Sequence, residues 1–462
     1  MDPTESVITG VGVVSSIGIG REAYWESVRD GRSGICDLSS LDPQVLRDIW
    51  VGPSLAGSAA VGTEPSLLLG GPILDFEGKQ FVKPRKALKV MSREIQTSFA
   101  ASQLALADAG IGVPLPSDST SRSSLTLRPD RFGTVFGSEM LYGQPDELAD
   151  AFAKCCDDDG RVNQSQFGNA AMQQITPLWM LKYLPNMPAC HMGIAIGAHG
   201  PNNTLTLGDV SGPSALIESL GYLRRGVADV IVAAGCGSRM NQTRSIFTED
   251  QPLSSGHEPI EHSSRPHATD AGGLVRGEAA AAVIVETQAA AETGDRRVRA
   301  VVAGAASRFV ASKSFRSGNR SKSVMPGFGR ANASAMILAM ESAMKRARVS
   351  PSDVGLVVSH GMGDRLIDDA ELTAINQVLP GIAVTLPISL TGHTGAASGM
   401  LELVTGILSL EAAEIPPVPH SNSCVDGINV SDEIRPLGSQ CVLVLTHTSP
   451  GSATAIVLTG QR

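Results

Sequence analysis

Apolar residues in this chain fall into short continuous runs and helical stripes that alternate along its length. Val7–Ser15 (VITGVGVVS) is an apolar run entering a glycine turn, which predicts a buried strand, and Tyr24–Asp30 predicts a short helix closed by Gly31. From Ser92 to Ala109 the residues Ile95, Phe99, Ala101, Leu104, Leu106 and Ala107 recur at helical spacing, and Gly110 marks the stop. RFGTVFGSEM predicts a second buried strand. The stretch Gly197 to Gly212 (GAHGPNNTLTLGDVSG) reads as a strand and a tight loop, followed by a helix from near Pro213 and the buried strand Val230–Ala234. Ser211 or Asp209 is placed to cap that helix, and Pro213 suits its first turn.

Beyond a short polar joint at Thr287–Arg297 the order of elements repeats. VRAVVAGAAS predicts a strand, Ala331–Arg346 an amphipathic helix, and SDVGLVVSHGMGD a strand running into a loop. VTLPISLTGHTGAASGMLELVTGILSL is again strand, glycine loop and small-residue helix, and CVLVLTHTSPGSATAIVLTG closes with two strands. Asp209 and His393 therefore hold corresponding places in two strand–elbow–helix units. A duplicated, layered α/β fold follows, with halves at 1–288 and 296–462.

Composition narrows the function classes. The 462 residues are 42% hydrophobic and 18% charged with 49 glycines, which describes a folded chain rich in tight turns. A net charge of −9, spread along the chain, argues against a nucleic-acid surface, which needs clustered Lys and Arg. The longest apolar runs, Val230–Gly235 and Ala279–Val285, fall far short of the roughly 20 residues of a membrane span. MDPTESVITG lacks the basic-then-apolar layout of a signal peptide. Seven cysteines, an odd number without framework spacing, point to a reducing cytoplasm.

Several phrases carry a resemblance. VITGVGVVSSIG with YWESVRDGRSGI, the segment PLWMLKYLPNMPACHMGI, the elbow followed by ADVIVAAG, and SRPHATDAGGLVRGEAAAAVIVE are similar to the β-ketoacyl synthase (condensing enzyme) family from Val7 to Leu458. The resemblance implies a thiolase-like α-β-α-β-α layering, no cofactor and no metal, and an acyl carrier protein as partner. His360, in SHGMGDRLIDDAE, and His393, in SLTGHTGAASG, match the two family histidines that polarise a thioester carbonyl, with Asp368 and Glu371 at the acidic positions of the first phrase.

The family pattern is broken at three places. The elbow residue, a catalytic cysteine in active members, is Asp209. The lysine expected five residues before His393 is Ile388, which predicts that Glu371 has lost its nearest cation in a more apolar pocket. At the C-terminal gate Ser449 takes the place of a phenylalanine, and Pro450 removes one backbone donor. Asp209 thus stands at the expected catalytic position, and Ile388, Ser449 and Pro450 at the expected substrate-binding positions.

Other groups read as structural. Cys190 and Cys236 are expected to be inert thiols. His257, His262 and His267, spaced every five residues without a cysteine cluster, read as a solvated loop and not as metal ligands. Arg308, Lys313, Arg316, Arg320, Lys322 and Arg330 form the basic stretch, a solvated loop whose functional alternative is a surface for an acidic carrier protein.

The residues together resemble chain length factors, relatives that have lost the elbow cysteine and pair with an active ketosynthase. The expected protein is thus a non-condensing partner of a 3-oxoacyl-[acyl-carrier-protein] synthase, as a heterodimer or a homodimer built around Trp179–Met192. A malonyl-carrier-protein decarboxylase, a condensing enzyme with an unusual site, and a scaffold with an inherited fold stay open as alternatives.

Overall fold

The computed structural model describes residues 5–42, 45–46, 68–112, 127–141, 143, 146–241, 243–244, 252–311 and 332–461. Ten strands make up the body of the fold. The first five are β1 (Ser6–Ser15), β2 (Phe132–Gly137), β3 (Asn202–Leu205), β4 (Val230–Ser238) and β5 (Arg276–Thr287). The second five are β6 (Ala300–Phe309), β7 (Leu356–Val358), β8 (Val384–Thr385), β9 (Cys441–His447) and β10 (Ser452–Thr459).

Their spatial order is β3-β2-β4-β5-β1 and β8-β7-β9-β10-β6, the same permutation in each half. The pairing senses repeat as well: β2 is parallel to β3 and β4, as β7 is parallel to β8 and β9, and the remaining pairs are antiparallel. The two sheets join where β1 meets β6, through Val7↔Val301 and Ile8↔Ala300. Duplication read from element order is therefore present in the hydrogen-bond topology.

Six helices complete the layers. Helices α1 (Arg93–Asp108) and α2 (Met187–Ile196) cover the outer face of the first sheet. α3 (Ser211–Arg224) and α6 (Ser398–Ala412) lie between the sheets, and α4 (Ala333–Ala347) and α5 (Arg365–Val378) cover the second sheet. Strand β4 shows why its sequence is apolar throughout. Ile231 and Ala233 pack into the central layer while Val230, Val232 and Ala234 pack outward, so successive side chains both find a core. Every residue of α6 from Ser398 to Leu410 is buried, as a helix flanked by two sheets requires.

Local chemistry sets the helix ends close to their expected places. Ser92 caps α1 by accepting from the Ile95 N–H, and Gly110 follows its end with φ +70. The joint at 287–297 is not wholly irregular: Thr287 caps a short helix at Gln288–Thr293 by accepting from the Ala290 N–H. No helix among the described residues is long and apolar enough to cross a membrane.

The two central helices start unusually close together. A Cβ on Gly399 would sit 2.3 Å from Pro213 Cγ, and one on Gly212 would sit 2.5 Å from Met400 Cγ. Only glycine permits this approach, and it brings the loops ahead of α3 and α6 into one place. Those loops carry Asp209 and His393.

Candidate active site

The elbow ahead of α3 is held by a serine. Gly208 takes φ +68, which turns the chain out of β3, and the Leu207 N–H donates to Ser211 Oγ at 2.8 Å. Ser211 Oγ in turn donates to the Gly208 carbonyl. The residue at the N-cap is Val210, without a side-chain cap, so neither Asp209 nor Ser211 plays the capping role expected from sequence. The Asp209 carboxylate is engaged elsewhere: Oδ1 accepts from Arg239 Nη2 at 2.8 Å, and Oδ2 faces His393 Nε2 at 3.5 Å and His360 Nε2 at 4.0 Å.

His360 follows β7 in a loop organised by two buried acids. Glu371 accepts from Ser359 Oγ and from the His360 and Gly361 N–H groups. Asp368 accepts from the N–H groups of Met362, Gly363 and His267. Both expected acids thus shape the loop that presents the first histidine. His393 is fixed through its backbone, donating to the Val275 carbonyl at 2.7 Å and accepting from the Gly277 N–H at 3.0 Å. The two imidazoles lie edge-to-face with ring centres 5.5 Å apart.

The structure corrects the expected surroundings of Glu371. Its carboxylate lies 3.2 Å from His267 Nε2 and 3.5 Å from His447 Nε2, so in place of the lysine absent at Ile388 it faces two imidazoles, one from the loop at 267 and one from the end of β9. His267 is 2% exposed and does not belong to a solvated loop, although His257 and His262 are both partly exposed. Burial pulls the His267 imidazolium down, but the negative charges of Asp368 and Glu371 outweigh it and raise its pKa. Burial likewise disfavours the Glu371 carboxylate, yet His447 and His267 hold it well below the usual range. Ile388 is buried, and its carbonyl accepts from Ser264 Oγ.

Residues that sequence reasoning missed complete the site. Glu402, on α6, lies 2.6 Å from His360 Nδ1 and accepts from Thr446 Oγ1. Burial opposes a charged His360, but Glu402 and then Asp209 raise its pKa to about 9. Arg239, just past β4, also reaches Glu139 Oε1 at 3.4 Å, and Glu139 accepts from the Ala396 N–H and pairs with Arg244. Burial raises the pKa of Asp209, and the charges of His393 and Arg239 bring it well below the carboxylate range. Burial lowers the pKa of His393, whereas Arg239 carries a permanent charge and His360 is raised, so these two hold Asp209 ionised.

The segment expected to act as a C-terminal gate is a hairpin turn between β9 and β10. The Thr448 N–H donates to the Ser452 carbonyl, and the Gly451 N–H to that of Thr448. Ser449 is buried and Pro450 partly exposed. A Cβ on Gly208 would lie 3.5 Å from Thr448 Cγ2, which places this turn against the elbow. Cys236 is buried, and burial pushes its thiol up to about 12. Cys190 is partly buried, and its thiol is also raised by burial. Arg308 donates to Ser342 Oγ and to the Ser307 carbonyl, while the rest of the basic stretch lies outside the described residues.

Comparison with known proteins bears on the family and the fold. The β-ketoacyl synthase N-terminal domain matches residues 5–291, and the β-ketoacyl synthase C-terminal domain matches residues 300–422. The chain is 25% identical over 462 residues to a putative polyketide beta-ketoacyl synthase 1 of Streptomyces cyaneus, covering 98% of this chain and 97% of the relative. It is 24% identical over 424 residues to 3-oxoacyl-[acyl-carrier-protein] synthase 2 of Staphylococcus aureus strain N315, covering 90% and 87%. Among solved structures, a beta-ketoacyl synthase from Burkholderia phymatum superposes with a TM-score of 0.77 at 20% identity, covering 99% of this chain and 100% of that one. The ishigamide ketosynthase/chain length factor gives 0.73 at 19% identity, covering 99% of each chain. These likenesses identify the layered architecture as the thiolase-like fold.

Proposed function

The chain belongs to the β-ketoacyl synthase family, and from that premise we propose that it is a non-condensing subunit of the chain-length-factor type. Its partner in this reading is a cysteine-bearing 3-oxoacyl-[acyl-carrier-protein] synthase of a polyketide or fatty-acid-like pathway. The observation that carries the reading is Asp209. At the family's cysteine position stands a carboxylate, kept ionised by Arg239 at 2.8 Å and turned toward the histidine pair. Attack by that carboxylate on a thioester gives a mixed anhydride, which hydrolyses readily and offers no advantage to an acyl relay. Cys236 and Cys190 do not substitute, because burial keeps both thiols protonated at neutral pH.

Further features support an assembly. Strand β3 ends its sheet, and an edge strand is a ready pairing surface. Nearby in sequence, Met172, Leu178, Met180, Ile194 and Leu207 are exposed apolar side chains, with Ile194 78% exposed on α2. We assign the dimer contact to this region, the halves to 1–288 and 296–462, and an acyl carrier protein as the second partner. All seven cysteines are free thiols, which supports a cytoplasmic setting.

A second reading, decarboxylation of a malonyl thioester, has one observation in its favour. Nε2 of both His360 and His393 has no hydrogen-bond partner among the described residues, so each is open to a carbonyl oxygen. Co-expression with a cysteine-bearing ketosynthase of the same genome tests the partner reading. A mixed dimer by light scattering is expected; a monomer at micromolar concentration with no mixed species contradicts it.

A further inference from the structure

The site holds a second kind of chemistry in the atoms that face one another across it. Asp209 Oδ2, His360 Nε2 and His393 Nε2 come from three separate loops, are buried, and all lie within 4.8 Å of one another. The Asp209 contacts with the two imidazoles are 3.5 Å and 4.0 Å, longer than a well-formed hydrogen bond. Two of these atoms, the Nε2 nitrogens, have no hydrogen-bond partner among the described residues. Two buried imidazole nitrogens that face a carboxylate oxygen from beyond hydrogen-bond reach are under-satisfied unless something occupies the space between them.

We infer that Asp209, His360 and His393 form a binding site for one divalent transition-metal ion, with two imidazoles and one carboxylate as protein ligands. Zinc at about 2.0–2.1 Å from each donor in a tetrahedron separates donors by about 3.3 Å. The 3.5 Å pair lies within about 0.2 Å of that spacing, the 4.0 Å pair needs a closure of about 0.7 Å, and the two nitrogens, within 4.8 Å of each other, close by at most about 1.5 Å. Three protein ligands leave a fourth position for water or a substrate oxygen.

The groups behind the ligands are arranged as metal sites require. Glu402 holds His360 by Nδ1 at 2.6 Å, which fixes the ring so that Nε2 points inward, and Thr446 donates to the same carboxylate. Arg239 holds the other oxygen of Asp209, leaving Oδ2 as the ligand. A guanidinium next to the ligand carboxylate weakens cation binding, and Glu139, 3.4 Å from the same Arg239 nitrogen, offsets part of that charge. The second buried cluster, His267, Asp368 and Glu371, has a different character. Its carboxylates already accept from five backbone N–H groups and one hydroxyl, so it acts as a clamp for the 359–363 loop.

This inference goes beyond the partner-subunit reading and does not depend on it, because its readout is metal content and ligand identity. Zinc chloride titrated calorimetrically into the chelator-treated full chain is expected to fill one site per chain with micromolar or tighter affinity. X-ray absorption of the zinc-loaded wild type is expected to show two imidazole ligands and no sulfur. Asp209→Asn and His393→Gln are each expected to weaken binding at least tenfold. Absence of a one-to-one site, a sulfur-ligated zinc, or unchanged affinity in both variants overturns the proposal.

Discussion

Arg239 Nη2 stands 2.8 Å from Asp209 Oδ1, with the two side chains only 10% and 7% exposed, so the elbow carboxylate is matched by a cation that cannot deprotonate. Removing one partner of a buried pair leaves an uncompensated charge, at a cost of about 3–5 kcal/mol. Arg239→Leu is expected to destabilise the fold by that amount in urea unfolding. Arg239→Leu combined with Asp209→Asn should lose less than the sum of the single changes, by about 1–3 kcal/mol. Additivity within about 0.5 kcal/mol contradicts the pairing.

Gly399→Ala tests the close approach of the two central helices. Alanine gains at most about 1 kcal/mol in helix propensity over glycine. Its methyl would sit 2.3 Å from the Pro213 ring, which is part of a rigid helix start, and overpacking costs about 1–3 kcal/mol. A lower melting temperature is expected, and a raised one contradicts the packing argument.

His420 sets a pH dependence. Burial lowers its pKa from 6.5 to about 4, with Arg265 and His267 adding to the effect and the bond to the Pro266 carbonyl opposing it. Well above pH 6.5 the ring is neutral in both folded and unfolded chains, so its stabilisation is fully present. Between pH 6.5 and 4 only the unfolded chain takes up the proton, and stability falls by about 1.4 kcal/mol per pH unit. His420→Gln keeps an amide donor for the carbonyl and does not titrate. From pH 6.5 to 5 the wild type should lose about 1.6 kcal/mol more than this variant in denaturant titrations; parallel curves contradict the assignment.

Asp209→Cys is expected not to restore condensation. Arg239 would favour a thiolate, but the turn at Ser449–Pro450 lacks one backbone donor, and a lost oxyanion donor costs on the order of a hundredfold to a thousandfold in rate. Malonyl-dependent extension by the variant within about tenfold of the cysteine-bearing partner, roughly 1.4 kcal/mol in barrier, contradicts this.

Much of the fold was legible because strands such as β4 are buried on both faces, and their apolar runs are then continuous. His360 and His393 were legible from their glycine-rich phrases. The electrostatics around them were not, because the compensating charges come from distant segments: Glu402 from α6, Arg239 from beyond β4, and His267 from a loop that sequence spacing assigns to solvent. One signal was available. Glu402 is the lone charged residue in SGMLELVTGILSL, and a single acid on a wholly buried helix calls for a partner. The capping reading of Asp209 failed for a related reason: helix-start statistics count the nearby N–H groups and not a guanidinium thirty residues away.

The central claim is that the elbow forms no acyl-enzyme, and intact-mass analysis tests it most directly. The purified chain is incubated with acyl-carrier protein carrying an acyl thioester, alone and after co-expression with a cysteine-bearing ketosynthase proposed as its partner. The chain itself is expected to keep its unmodified mass in both cases while the ketosynthase gains the acyl group. A hydroxylamine-sensitive acyl increment mapped to Asp209, or a thioester on Cys190 or Cys236, contradicts the account.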